Sequence, residues 1–437
     1  MNRILIICYE ICLWALAILA APKMLYHLYK HKKYLGSLGP RLGLNYPIFE
    51  KSHHPLIWIH AVSMGEAKAV VSLARELKFH YPNARLVVSS ITETGHAEVQ
   101  RSFPFADYRV YLPFDFSFIV RRIMQQASPD VVILCESDFW FNFLRYAKKE
   151  GALLALVNGK ISSRSKNRFR AAPFFSKPLF NLFEVLCIQN EFYAKRFLQA
   201  GAPSMKMEVT GNLKLDDEYP QLCPEETAEW RKKLGIGPDQ LVLTIGSSHH
   251  PEEQLFLTHL KDIWKKYPEL KVLIVPRHPE RFKEVESLLE NEDLSWISFT
   301  DINCRTGKEQ VILVDAMGML RMCYQLSDIA LVAGSFTSKV GGHNILEPCW
   351  YGKPVLFGPF MHTQLELVDY ILNANAALQV SMETLKDQIE LLVTDAYLRS
   401  TMGQNGLELI QSLKGSTQRT LLAIEHLFEK DCFQRCM

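Results

Sequence analysis

Ten short apolar runs, recurring with amphipathic stretches between them, do most to limit what this chain can fold into. The first five are Leu56–Ala61, Leu86–Ser90, Val131–Cys135, Leu153–Val157 and Val185–Gln189. Segments of helical length and spacing, such as Ala67–Phe79 and Phe139–Lys149, lie between them. A strand that is apolar throughout must be covered on both faces, which is the condition of a parallel sheet wrapped by helices. The rhythm breaks over Gly211–Asp239, where DDEYPQLCPEE is polar and punctuated by proline. It resumes with Leu241–Ile245, Lys271–Val275, Val311–Val314, Ile329–Ala333 and Pro354–Phe357. The remaining C-terminal stretch reads as helices without strands. The expected fold class is α/β, two Rossmann-like doubly wound domains, with the ligand site in a cleft between them at the C-terminal strand ends.

Ahead of this pattern, Ile4–Ala21 reads ILIICYEICLWALAILAA, with Arg3 before it and Pro22 closing it. Lys23, Lys30, Lys32 and Lys33 follow, with Tyr26, His27 and Tyr34 among them. The run falls within the roughly 17–25 apolar residues that span a bilayer core. Basic residues on its far side favour keeping the rest of the chain cytoplasmic. A cleavable signal peptide fits less well, because one charge precedes the run and no small-x-small exit precedes the basic cluster. Glu10 is costly at membrane depth, so it is protonated, or the helix lies in the interface, or the segment is an ordinary N-terminal helix packed on the core. The expected layout is an anchor at 1–35, domains at 36–212 and 241–400, a linker at 213–240, and C-terminal helices at 401–437.

The near-neutral charge of +2 argues against a nucleic-acid partner, which would call for a basic excess. Ordinary glycine and proline content with 11% aromatics excludes collagen-like and disordered classes. The cysteines are scattered, without a CxxC pair and mostly within apolar runs. They are expected to be buried, reduced thiols.

Polar clusters recur at the strand ends. His60-Ala61-Val62-Ser63-Met64-Gly65-Glu66 opens a helix, where the dipole favours the Glu66 carboxylate. Ser89-Ser90-Ile91-Thr92-Glu93-Thr94-Gly95 offers hydroxyls that suit a phosphate, a sugar or an ordinary N-cap. Glu136 and Asp138 follow the apolar VVILC; a first-turn cap accounts for Asp138, while Glu136 needs another reason to be buried. Lys214 in Gly211-Asn212-Leu213-Lys214 is placed to hold an anion. In the second half stand Gly246-Ser247-Ser248-His249, Pro276-Arg277-His278-Pro279-Glu280-Arg281 and Gly341-Gly342-His343-Asn344-Ile345-Leu346-Glu347-Pro348. The glycines let backbone N–H groups approach a phosphate, and a helix starting near Asn344 would aim its positive end there, with Glu347 on the same face.

Taken in order, HAVSMGE, TETG, GNLK, PRHPERF and GGHNILEP make the chain resemble the Kdo transferases of lipopolysaccharide assembly. That family moves 3-deoxy-D-manno-oct-2-ulosonic acid (Kdo) from CMP-Kdo to a lipid A precursor. The resemblance runs from the N-terminal anchor to about residue 375. It implies the GT-B architecture, with 36–212 binding the acceptor and 241–400 binding CMP-Kdo. It also implies that Glu66 is the general base of an inverting transfer and that Glu136 and Lys214 stabilise the transition state. CMP would be held by Pro276 and Arg277, by Met317, Gly318 and Met319, and by Asn344, Ile345, Leu346 and Glu347. No metal or separate cofactor is implied beyond the donor itself. The partners implied are CMP-Kdo, a lipid A precursor and inner-membrane lipid, with the catalytic domains facing the cytoplasm. One segment departs from the family pattern Glu-Thr-Glu-Leu-Trp-Pro: here it is Glu136-Ser137-Asp138-Phe139-Trp140-Phe141, so a role belonging to the second acid would fall to Asp138. Two other readings stand beside this one. The chain is another GT-B nucleotide-sugar enzyme (a glycosyltransferase or 2-epimerase), or a membrane-tethered nucleotide-sugar-binding protein without catalysis.

Overall fold

The computed structural model describes residues 3–31, 35–50, 52–216, 219–292 and 294–429. Lys32, Lys33, Tyr34, Asp217, Glu218, Cys432 and Cys436 lie outside them, as does the side chain of His27. The chain forms two units, one of Met1–Asp217 with Leu413–Met437 and one of Glu218–Ser412.

The first unit holds strands β1 (Leu56–His60), β2 (Arg85–Ser90), β3 (Tyr108–Tyr111), β4 (Val131–Cys135), β5 (Leu153–Gly159), β6 (Val185–Ile188) and β7 (Met207–Val209). They form one sheet in the order β3-β2-β1-β4-β5-β6-β7, with every pairing parallel. Successive side chains feed opposite faces, so LIWIH supplies two cores. Leu56 and Trp58 pack with Phe141 and Phe143, while Ile57 and Ile59 pack with Leu73 and Val88. Strand order reverses at β1, which lies between β2 and β4. Ligands in such sheets gather beyond the strand ends at that switch point.

The second unit repeats the plan with β8 (Val242–Ser248), β9 (Lys271–Pro276), β10 (Trp296–Ser298), β11 (Val311–Leu313), β12 (Ile329–Val332), β13 (Val355–Phe357) and β14 (Ala377–Gln379). Its order is β10-β11-β9-β8-β12-β13-β14, again parallel, with the switch between β8 and β12.

Four strands lacked an apolar run of their own: β3, β7, β10 and β14. They are the edges of the two sheets, and each is partly exposed. The stretch read as a linker contains a helix, Pro224–Lys233, closed at its start by reciprocal bonds between Cys223 and Glu226. The C-terminal helix Ser416–Ile424 packs on the first unit, where Leu421, Ile424, Leu427 and Phe428 join the core. Asp216 fixes its start by accepting N–H bonds from Gly415 (2.8 Å), Ser416 (3.1 Å) and Thr417. Of the cysteines in the described residues, Cys135, Cys187, Cys323 and Cys349 are buried, but Cys8, Cys12, Cys223 and Cys304 are exposed. Cys8 and Cys12 are exposed because they lie on the outer side of the leader helix.

That leader helix, Arg3–His31, contains a stretch, Arg3–Lys23, long and apolar enough to cross a membrane. Ile4, Ile7, Ile11, Leu16, Ile18 and Leu19 are exposed along it. Its other side is docked: Leu5 enters the first unit's core and Trp14 lies 4.6 Å from the ring of Phe116. Tyr9 donates to Asp115 (2.7 Å), and Glu10 accepts from the Asn142 amide (2.7 Å), which gives this carboxylate a polar partner within the protein.

Candidate functional site

Two polar centres form, one at each switch point. In the first unit, Ser63 caps the helix Met64–Ala69, accepting from the Glu66 N–H while its hydroxyl reaches back to the carboxylate (3.2 Å). The Glu66 carboxylate also accepts from the Val62 N–H at 2.8 Å. These bonds fold the side chain under its own helix start, leaving the residue 8% exposed. Burial, then the nearby charge of Glu136, pushes Glu66 up to about 7, although the Val62 and Ser63 bonds oppose the rise. Gly95 explains the neighbouring TETG motif: a Cβ there would lie 3.0 Å from the Val62 carbonyl, so the next helix can approach this turn only with glycine.

Glu136 follows β4 directly, in the left-handed region at φ 63. Its buried carboxylate is bridged by Lys214 and by Lys160, each at 2.8 Å. Burial pulls Lys214 down, but the charge and hydrogen bond of Glu136 outweigh this and hold it above its usual value. Lys214 is set by its loop: Asn158 at the end of β5 accepts from the Leu213 N–H (3.0 Å), and Asn212 accepts from the Lys214 N–H (3.1 Å). A Cβ on Gly65 would stand 3.9 Å from the Lys214 amine, which brings that lysine to the helix start bearing Glu66. Lys160 was not singled out in the sequence; its signal was its place just past β5, at the same sheet edge as Glu136. Asp138 does not cap the next helix. That helix, Phe141–Lys149, starts three residues later, and its first N–H groups, from Asn142 and Phe143, bond Asp115 instead (2.9 and 2.8 Å). Burial and Glu136 together raise Asp138.

In the second unit the centre is organised by Glu252, a fully buried carboxylate the sequence reading passed over. It accepts N–H bonds from His249 (3.0 Å), Gly334 (2.7 Å) and Phe336 (2.9 Å), tying the turn after β8 to the turn after β12. Gly334 has φ 72, and a Cβ on it would lie 2.5 Å from the His343 ring. Glycine is therefore required for the close approach of those two turns. The His249 and His343 rings stack with their Nε2 atoms 2.8 Å apart, and His278 meets His249 edge-on at 5.3 Å.

Pro276 ends β9 and Arg277 beside it is exposed. Gly318, at φ 85, turns the chain between the exposed Met317 and the half-buried Met319, which packs on the core below. No helix begins at Asn344, contrary to the sequence expectation. Proline at 348 lacks an N–H to continue an α-helix, and only a short 3-10 turn, Pro348–Tyr351, forms. Asn344 instead accepts from the Leu346 N–H (3.1 Å), and Ile345 and Leu346 are fully buried. Glu347 pairs with Arg321 (3.1 Å), whose guanidinium lies over the Tyr219 ring at 3.9 Å. Among the described residues, no three His, Cys, Asp or Glu side chains group so as to hold a metal ion.

Residues 37–217 match the family model of 3-deoxy-D-manno-octulosonic-acid transferase (Kdo transferase). The 3-deoxy-D-manno-octulosonic acid transferase of Chlamydophila psittaci (strain ATCC VR-125 / 6BC) is 34% identical over 402 residues, covering 91% of each chain. The chain belongs to the Kdo transferase family. The Haemophilus influenzae transferase is 30% identical over 381 residues, 86% of this chain and 88% of its own. Members of this family are glycosyltransferases, and so is this enzyme. Among solved structures, a glycosyltransferase from Rickettsia africae ESF-5 covers 87% of the chain with TM-score 0.60 at 14% identity. A UDP-GlcNAc 2-epimerase from Neisseria meningitidis covers 85% with TM-score 0.57 at 15% identity. At such identities these two likenesses show the GT-B fold.

Proposed function

We propose that this Kdo transferase moves Kdo from CMP-Kdo to a lipid A precursor, with inversion, during lipopolysaccharide assembly at the cytoplasmic face of the inner membrane. The observation that carries the mechanism is Glu66, a shielded carboxylate pushed up to about 7. A base is most effective when its proton affinity is matched to the operating pH. Glu66 takes the proton from the acceptor hydroxyl as that oxygen bonds to the anomeric carbon of Kdo. The carbon–oxygen bond to phosphate breaks on the opposite side, and its electron pair leaves with CMP. Glu136 with Lys160 and Lys214 carries one surplus positive charge, which suits a sugar that is itself a carboxylic acid. In the second unit, Arg277, the Met317–Met319 turn and the segment Asn344–Glu347 hold CMP, with Ile345 and Leu346 shaping that segment from within. CMP-Kdo is the donor, and no metal or further cofactor enters the reaction. The leader helix, with its exposed apolar residues, supports a membrane-bound acceptor.

The test is CMP release from CMP-Kdo with a tetra-acylated lipid A precursor, comparing the chain with Glu66→Gln. Turnover by the native enzyme and its loss in the variant is the expected result. Equal turnover would remove Glu66 from the chemistry, and CMP binding without turnover by either would point to a nucleotide-sugar-binding protein.

A further inference from the structure

The stacked histidines of the second unit have no part in the mechanism above, yet they lie among the residues assigned to the nucleotide. His249 follows β8 and His343 immediately precedes Asn344, so the two strands at the switch point deliver the pair. Their 2.8 Å contact joins Nε2 to Nε2, so one ring must donate and the other accept. The donor ring is then the Nε2–H tautomer and the acceptor ring the Nδ1–H tautomer. The pair has room for one more proton, on the donor ring's Nδ1, without breaking the contact between the rings.

The surroundings hold that proton off. Burial lowers both imidazoles, His343 to about 4, and the neighbouring cations act in the same direction. Arg277 and His278 face both rings, and Arg281 faces His249. Glu253 opposes them, but its carboxylate is engaged by Arg281. Glu252 accepts the His249 backbone N–H and bonds two further N–H groups, and His362 lies against Gly341 on the other side of the turn. An anion arriving here meets the exposed Arg277 and a pair of rings able to gain one more charge.

We propose that His249 and His343 act as one proton-accepting pair, which takes a single proton from solvent as the phosphate of a nucleoside monophosphate binds beside it. The neutral pair becomes a shared cation that donates to phosphate oxygen, and it persists as charge builds on the departing phosphate. The inference rests on the assignment of CMP to this unit. Because CMP is a dianion well above pH 6, protonation of the pair gives the site charge complementarity that neutral rings lack.

Calorimetric titration of CMP into the full chain in detergent, at pH 7.5 in buffers of different ionisation enthalpy, reads the proton directly. The expected result is net uptake approaching one proton per CMP, with affinity rising up to about tenfold for each pH unit of fall. His249→Asn and His343→Asn should each abolish the uptake and weaken CMP about tenfold, while cytidine, which has no phosphate, binds as before. His278→Asn, outside the pair, should keep the uptake. CMP binding to the native chain without proton uptake overturns the proposal, as does uptake that survives both pair variants. No CMP binding by the native chain would instead refute the nucleotide assignment on which the pair depends.

Discussion

Replacing Glu66 by glutamine should abolish activity and at the same time stabilise the first unit. The carboxylate is 8% exposed and its proton affinity rises from the ordinary 4.5 to about 7. At about 1.4 kcal/mol for each pH unit, the ionised form costs the fold about 3 kcal/mol. The sign follows from the direction of the shift. Above pH 7 the folded protein must hold a charge it disfavours; the cost fades as pH falls from 7 to 4.5 and is absent below. Glutamine keeps an oxygen for the Val62 N–H and offers an amide to the Ser63 hydroxyl, so the turn is retained. Thermal unfolding in detergent at pH 8 should rise by roughly 6–12 °C, since each kcal/mol moves a unit of this size by about 2–4 °C. At pH 5 the gain should have fallen to about a quarter of that. CMP release should fall by about a hundredfold to ten-thousandfold, and in the native enzyme kcat/KM should lose half its value near pH 7 on the acid side. A melting temperature unchanged or lowered at pH 8, or raised equally at both pH values, would refute the electrostatic account. So would an acid limb centred near pH 4.5.

Lys160→Met leaves Glu136 with Lys214 as its remaining bridge, so its repulsion of Glu66 grows. The acid limb of the pH–rate profile should move above 7 and kcat/KM at pH 7 should fall about tenfold. Glu252→Ala strands three N–H donors, two of them buried, and urea unfolding should report a loss of about 3 kcal/mol in the second unit, with weakened CMP binding in calorimetry. Deleting the leader through Pro22 should release the protein from membranes on fractionation. It should depress turnover of lipid acceptor more than CMP affinity, and the loss of Tyr9 and Glu10 should cost the first unit about 1–2 kcal/mol. Tight membrane retention after the deletion would place the association on another surface.

The interior of each sheet was legible because a strand buried on both faces must be written in apolar residues throughout, as VVILC and LIWIH are. The edge strands were illegible for the converse reason. Met207–Val209 and Ala377–Gln379 are partly exposed, and nothing in three mixed residues separates a strand from a loop. The polar residues at strand ends were visible, but their groupings depended on strand order, which spacing does not encode. Lys160 and Glu136 meet because β5 pairs with β4. Glu252 was missed for a different reason: an acid in the first turn of a helix looks like an ordinary dipole partner until the turn after β12 is seen to bond it. The helix expected at Asn344 failed because the chain's own proline, four residues on, outweighed the favourable pattern before it.

Both features of the first centre run against stability, and in the same direction. A non-glycine residue at φ 63 stores strain of order 1–3 kcal/mol, and Glu136 holds it where a glycine would not. Glycine would also remove the carboxylate that anchors Lys160 and Lys214, so the strain and the bridge are inseparable. Glu66 adds the cost of a charge kept from solvent, increased by the very carboxylate the lysines secure. Full neutralisation of Glu136 would relieve Glu66 but lower its basicity; no neutralisation would leave a buried charge uncompensated. Two half-exposed lysines on one buried carboxylate occupy the ground between those limits. The arrangement persists because β1, β4, β5 and the GNLK loop each fix one member independently, so that no single side chain can relax without breaking a turn that the sheet already holds.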